Sequence, residues 1–258
     1  MLETVEEKIE RFRKYYTKMI DNAVAKSNIQ YEGVPAKLLL CSIIDSLSIA
    51  AFPDEKNPKQ NRIRFAQTIK RHSKWQDHDR VSMLQIWKAI NSMCDVPQEF
   101  ESFKLWLEKE CNAKFYPSRS PFQNSYSLQN DPLYKEISQE WPKKEPKKLE
   151  KLNNKYLEQF THRNLLWIYR NRLTHAFRPP GKGYQSPFKI EDDPYYKMVI
   201  DVKELIDQNG EKRWELVYPT GFFKNIANNC LESICCECLK KKRSPFLEYS
   251  EDSFWLIN

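Results

Sequence analysis

Apolar residues recur at three- and four-residue steps from the start of the chain. Leu2, Val5, Ile9, Phe12, Tyr16, Ile20 and Ala23 form one stripe, and the positions between them are largely charged. This period is the helical one, so the spacing predicts a long amphipathic first helix that must pack against a partner. Past Gly33, Pro35 suits the first turn of a second helix, and Leu38, Leu39, Leu40, Ile43, Ile44, Leu47 and Ile49 make a broad apolar face ending near Pro53. That segment is the expected central core helix. Shorter helices are expected over 60–71 and 80–91, and another after Pro97 that carries Phe100, Phe103, Trp106 and Leu107.

The pattern fails over 115–146, where Pro117, Pro121, Pro132, Pro142 and Pro146 interrupt polar residues, and a loop or insertion is expected there. From Lys147 to Phe177 one long helix is expected, with Leu152, Tyr156 and Phe160 on a stripe that Leu166, Tyr169, Leu173 and Phe177 continue until Pro179 and Pro180 end it. Met198, Ile200 and Val202 alternate before Asn209-Gly210, and Trp214, Leu216 and Tyr218 alternate after it, which predicts a β-hairpin within 195–219. A final helix is expected from Thr220 to about Lys241. The pattern amounts to an all-α single domain over 1–258, a bundle of long helices with a small β-hairpin insertion before the C-terminal helix.

Composition narrows the chemistry. The 258 residues are 40% hydrophobic and 13% aromatic, ample for a packed core. Fifteen prolines stand against five glycines, and neither a Gly-x-Gly-x-x-Gly nor a P-loop pattern occurs, so nucleotide folds built on such loops drop out. The net charge is +7, and the stretch from Lys135 to Lys182 holds twelve Lys or Arg against five Glu, a surplus equal to that of the whole chain. Such a region suits an anionic partner. The longest unbroken apolar run, Leu165 to Tyr169, is far shorter than the roughly 20 residues that span a bilayer, and the first ten residues are acidic and amphipathic. A cytoplasmic protein without a membrane partner is expected, its seven cysteines reduced.

The most informative segment is Arg170-Asn171-Arg172-Leu173-Thr174-His175. At about 100° per residue, Asn171 and His175 share one helix face a turn apart, with Leu166, Leu173 and Phe177 roughly opposite. An Asn in that position can hold the imidazole, and Arg170 can bring a forked cation to the same place. His suits proton transfer near neutral pH, and Arg neutralises charge that grows on a phosphate in a transition state. RNA carries its own nucleophile in the 2′-hydroxyl, so a pocket of this kind needs no metal or other cofactor. Cleavage is easiest with both a base and an acid. His162 stands thirteen residues away, about 20 Å along the expected helix. A two-fold dimer apposing two copies of the Arg/His face would supply the second group.

Here the sequence resembles the HEPN superfamily, all-α proteins marked by Arg, a polar residue and, a few positions later, His. Arg170-Asn171-x-x-x-His175 fits the commonest form, and the Leu-rich helix from Leu38 to Ala51, with Asp45 amid apolar residues, fits the early part. The resemblance implies a metal-independent endoribonuclease, active as a homodimer and belonging to a toxin–antitoxin or antiviral defence system. Arg170 and His175 would be catalytic, and Asn171 would orient them. An antitoxin or defence-system protein would be a partner beside RNA. In one HEPN toxin group a Tyr follows the His by two positions and receives nucleotides; Phe177 stands there in this chain. The alternative implied by the same resemblance is a non-catalytic adaptor that binds RNA or protein.

Four other features carry weaker readings. Asp45 falls with Ser42 and Ser48 on a polar strip of the second helix, where a solvent-facing role is favoured over a supporting one in the site. Cys230, Cys235, Cys236 and Cys238 offer one Cys-x-x-Cys hook on an expected helix and read as small buried residues rather than metal ligands. His72 and His78 flank Trp75 in the basic stretch Arg62 to Arg80, which reads as an exposed turn in preference to an RNA-facing surface. Arg172, Lys147, Lys148 and Lys151 are the expected contacts to the RNA backbone.

Overall fold

The computed structural model describes residues 3–25, 33–53, 60–115, 125–145, 148–177, 192–199 and 213–247. Its helices are α1 (Val5–Ala25), α2 (Gly33–Ala51), α3 (Asn61–His72), α4 (Met83–Asn91), α5 (Glu101–Phe115), α6 (Tyr134–Glu140), α7 (His162–Ala176) and α8 (Thr220–Lys240). The strands are β1 (Ser125–Ser127), β2 (Lys143–Glu145), β3 (Lys148–Leu149), β4 (Tyr195–Val199) and β5 (Arg213–Val217). The fold is mostly helical with a small sheet, as the periodicity indicates. Packing divides the chain into two compact units: 1–75 with 167–192 and 219–258, and 76–166 with 193–218. The division falls inside α7.

The first unit is built on α1, α2, α3, the later part of α7 and α8. The stripe of α1 buries Ile9, Phe12, Tyr16, Ile20 and Ala23, as its spacing requires. Each fully buried Phe or Ile contributes roughly 1.5–3 kcal/mol through the hydrophobic effect. α2 supplies Leu40, Ile44 and Leu47, and α8 supplies Phe223, Ile226 and Ile234 to the same core. Arg243 donates to the Ala50 carbonyl at 2.8 Å and so satisfies one of the orphan acceptors at the end of α2. Among the described residues, α2 is the one helix long and apolar enough to cross a membrane, and more than half of that stretch is buried inside the protein. The unbroken-run criterion overlooks it because Lys37, Ser42 and Asp45 interrupt the run without making the helix polar.

The second unit combines α4, α5, α6, the first turn of α7 and both sheets. Ser82 caps α4 by accepting from the Gln85 amide at 3.2 Å. β1, β4 and β5 form an antiparallel sheet in the order β1-β4-β5, with Tyr196 opposite Tyr126 and Leu216. The hairpin therefore exists, with a third strand beside it. Its expected turn at Asn209-Gly210, and Ile200 and Val202, lie outside the described residues. Edge-to-face aromatic contacts fill this unit: Trp141 meets Phe100 at 5.2 Å and Phe103 at 5.0 Å, and Tyr126 meets Trp214 at 4.9 Å.

Two expectations need correction. The region 115–146, read as a loop or insertion, contains β1, α6 and β2 among its described residues. Pro132 and Pro142 lie just outside α6 and so bound a short helix. The stretch 147–177 is not one helix, because only His162–Ala176 is α-helical. Asn153 and Asn154 take φ of 47° and 60°, a left-handed pair that reverses the chain. Asn tolerates this conformation better than other residues with a Cβ. Leu152 and Phe160 are buried all the same, so their spacing reflected burial through a turn rather than a helix face.

Candidate active site

Within the first unit, α7 turns Tyr169 and Leu173 inward, leaves Arg170 and Asn171 half-buried, and exposes Arg172 and His175. The helical period of the sequence thus places the motif on the accessible side. Arg170 Nη2 donates to Asp45 Oδ2 at 2.7 Å, and its Nη1 donates to Asn171 Oδ1 at 3.0 Å. The guanidinium also lies 5.0 Å from the Trp167 ring, which itself packs on Phe65 at 5.3 Å. A cation over an indole face is held by the ring quadrupole. Three contacts from three directions therefore fix the fork. Thr174 donates to the Arg170 carbonyl at 3.0 Å, so its hydroxyl stays on the helix backbone.

The Asp45 side chain is 23% exposed and that of Arg170 18%, so the pair is partly withdrawn from water. The contact is single-pronged: Asp45 Oδ1 and Arg170 Nε are buried with no hydrogen-bond partner among the described residues. The spacing favours a solvent-facing strip for Asp45; in the fold it pairs with the motif because the long Arg170 side chain reaches it from α7. It is the residue the sequence reading undervalued. The available signal was that Asp45 is the only acidic residue in the apolar run of α2.

One turn and two turns back from Asp45 on α2 stand Cys41 and Lys37, both fully buried. Burial pushes the Cys41 thiol up, against a smaller downward pull from Arg170 and Lys37. Tyr169 is likewise pushed up by burial. Among the described residues the Lys37 ammonium has no hydrogen-bond partner, and desolvation lowers its pKa to about 7. A line of Lys37, Cys41, Asp45 and Arg170 thus runs from the core to the accessible edge of the unit.

His175 is exposed, and none of the described residues bonds its ring. Phe177, expected opposite the motif on a continuing helix, is 71% exposed instead, because the helix ends at Ala176 and Phe177 takes a left-handed φ of 50°. Of the expected backbone contacts, Arg172 is exposed in the first unit, and Lys148 and Lys151 are exposed in the second. Lys147 lies outside the described residues.

The remaining candidates resolve as packing. Cys230, Cys235 and Cys238 are buried on α8 and Cys236 is exposed. His72 was read as part of an exposed turn, but it is buried: Nδ1 lies 2.9 Å from Ser233 Oγ and Nε2 lies 3.8 Å from Glu237. Trp75 is covered in the same way, 4.8 Å from Phe222. α8 covers both residues, a contact that no local pattern around 72–78 announces.

The second unit holds a buried polar network that the sequence did not reveal. Asp131 Oδ2 lies 2.8 Å from His162 Nε2 and 2.5 Å from the Tyr196 hydroxyl, and Asp131 Oδ1 accepts from the Met83 amide at 3.1 Å. Tyr196 lies a further 2.7 Å from Ser82 Oγ. The side chains of Asp131 and His162 are fully buried, and burial together with the Asp131 carboxylate pushes the tyrosine hydroxyl well up. This closed constellation is a tertiary tie between four chain segments.

No family model, no curated protein and no solved structure matches the chain.

Proposed function

We propose that the first unit carries a metal-independent endoribonuclease site of the HEPN type, with Arg170 and His175 as its catalytic residues and Asn171 and Asp45 as the groups that hold the guanidinium. The observation that carries this reading is the Arg170 fork, braced by Asp45 and Asn171, with an exposed imidazole on the same helix one turn on from Asn171. A preorganised cation is worth more than a mobile one, because no reorganisation is needed as charge develops on the phosphate.

In the proposed reaction an imidazole takes the proton of an RNA 2′-hydroxyl. The 2′-oxygen bonds to the adjacent phosphorus while the bond from phosphorus to the 5′-oxygen breaks. A second imidazole, protonated, gives its proton to the departing 5′-oxygen. The products are a 2′,3′-cyclic phosphate and a 5′-hydroxyl. Arg170 faces the non-bridging oxygens. The second imidazole comes from the same helix of a second copy, which makes a homodimer the active form. The exposed side of α7, with Ile168, Arg172 and His175, is the surface offered to that copy. A toxin–antitoxin or antiviral role, with its protein partner, belongs to the same proposal.

The reading is tested by incubating purified protein with RNA in the presence of EDTA. Wild type should cut and His175→Ala should not, while both elute as dimers. Cutting that EDTA abolishes would overturn the metal-independent reaction. RNA binding with no cutting by wild type would favour the adaptor.

A further inference from the structure

Between the buried Trp141 and the buried Leu157, the second unit presents a compact basic module. β2 and β3 pair antiparallel, and the Glu150 amide donates to the Pro142 carbonyl at 2.8 Å. Trp141 Nε1 donates to the Glu150 carbonyl at 2.8 Å and anchors the pair from below. The chain then reverses at once. Leu152 and Lys155 exchange backbone hydrogen bonds of 3.0 and 2.9 Å across Asn153-Asn154, whose positive φ values make a two-residue turn of the primed type. Lys151 and Tyr156 are thereby set directly opposite each other outside the closing pair. The Lys151 ammonium lies 4.6 Å from the Tyr156 ring centre.

Tyr156 is nevertheless 50% exposed, while Leu152 and Leu157 beside it are buried. A large ring is thus held out by a rigid turn whose apolar neighbours face the core. From Lys143 to Lys155 the sequence has six lysines against two glutamates. Among the described residues Glu145 pairs with Lys148, and the Glu150 carboxylate accepts from the Lys151 amide. Lys143, Lys144, Lys151 and Lys155 pair with no described carboxylate.

We infer that this hairpin is a single-strand RNA platform, in which one base stacks on Tyr156 while Lys148, Lys151 and Lys155 take the flanking phosphates. Unpaired bases offer a π-face to any aromatic ring, and a fixed ring loses little entropy in accepting one. A membrane surface fits less well, since it needs apolar side chains that protrude, and here they are turned inward. Duplex RNA keeps its bases stacked, so only the lysines could engage it. The inference deepens the ribonuclease reading by naming where that substrate is held, and it rests on that reading for the choice of RNA.

Binding is measured on the full chain carrying His175→Ala, by fluorescence anisotropy of a labelled 12-nucleotide uridine-rich strand, with a 12-base-pair RNA duplex alongside. Adding Tyr156→Ala should weaken single-strand binding about 5- to 100-fold, and leave duplex binding within about twofold. Tyr156→Phe should keep the affinity, because the ring is retained. Lys151→Gln should lower the slope of log affinity against log salt by about 0.7, whereas Tyr156→Ala leaves that slope unchanged. Single-strand affinity that is absent, or within twofold after Tyr156→Ala, overturns the platform, as does an equal loss on single strand and duplex. If the strand binds with the expected Tyr156 dependence but wild type leaves it uncut, the platform stands and the nuclease reading falls.

Discussion

Replacing Lys37 with methionine should make the protein more stable, and by an amount that depends on pH in a defined way. Lys37 is fully buried on α2 without a hydrogen-bond partner among the described residues, and desolvation takes its pKa from 10.5 to about 7. At 1.36 kcal/mol per tenfold change in proton affinity, the displacement corresponds to about 5 kcal/mol between the two protonation states. The unfolded amine binds protons more tightly than the folded one. Stability is therefore full above about pH 10.5, is lost as pH falls from there to about 7, and stays at its lowest level below that. At pH 7 the burial of the amine costs about 4 kcal/mol, and at pH 9 about 2 kcal/mol. Methionine has a similar volume and no charge, with a packing cost of up to about 1.5 kcal/mol. Urea unfolding followed by circular dichroism should thus find Lys37→Met about 3 kcal/mol more stable than wild type at pH 7, with the advantage about 2 kcal/mol smaller at pH 9. An equal advantage at both pH values, or a less stable variant at pH 7, would refute the reasoning.

Asp45→Asn should lower the rate of RNA cleavage about 10- to 100-fold with little change in KM, because a misplaced Arg170 costs the transition state rather than binding; single-turnover kinetics on a labelled strand measure this. Asp131→Ala leaves the His162 ring N–H and the Met83 amide without their acceptor and the Tyr196 hydroxyl with Ser82 alone, and should cost about 3 kcal/mol or more in urea unfolding. Burial lowers the pKa of His72 below the ordinary 6.5, with Glu237 pulling the other way. The unfolded imidazole therefore takes up the proton first. The stability tied to His72 is full above about pH 6.5 and is lost as pH falls through the folded value. His72→Gln should flatten the thermal stability profile in that acid range, and an unchanged profile would contradict the assignment.

The helices were legible where a single face is buried. α1 and α8 fall where their apolar period puts them, and α2 begins where Gly33 and Pro35 indicate. Legibility failed at 147–160, where Leu152 and Phe160 keep a helix-like spacing while Asn153 and Asn154 reverse the chain. Apolar spacing reports which residues are buried, and a turn between two buried anchors can mimic a helix face. The motif residues Arg170, Asn171 and His175 could be read as a group because they lie within two turns of one helix. Asp45 is 125 positions from Arg170, and the network around Asp131 draws on Ser82, His162 and Tyr196. Such pairings are decided by how elements pack, and nothing local in the chain records them.

The central claim is that His175 and Arg170 cleave RNA through its own 2′-hydroxyl. The most direct measurement is end analysis of cellular RNA after incubation with wild type and with His175→Ala in EDTA. The account predicts new 2′,3′-cyclic phosphate and 5′-hydroxyl ends with wild type and none with the variant. Equal cutting by both proteins, or products ending in a 3′-hydroxyl, would contradict it.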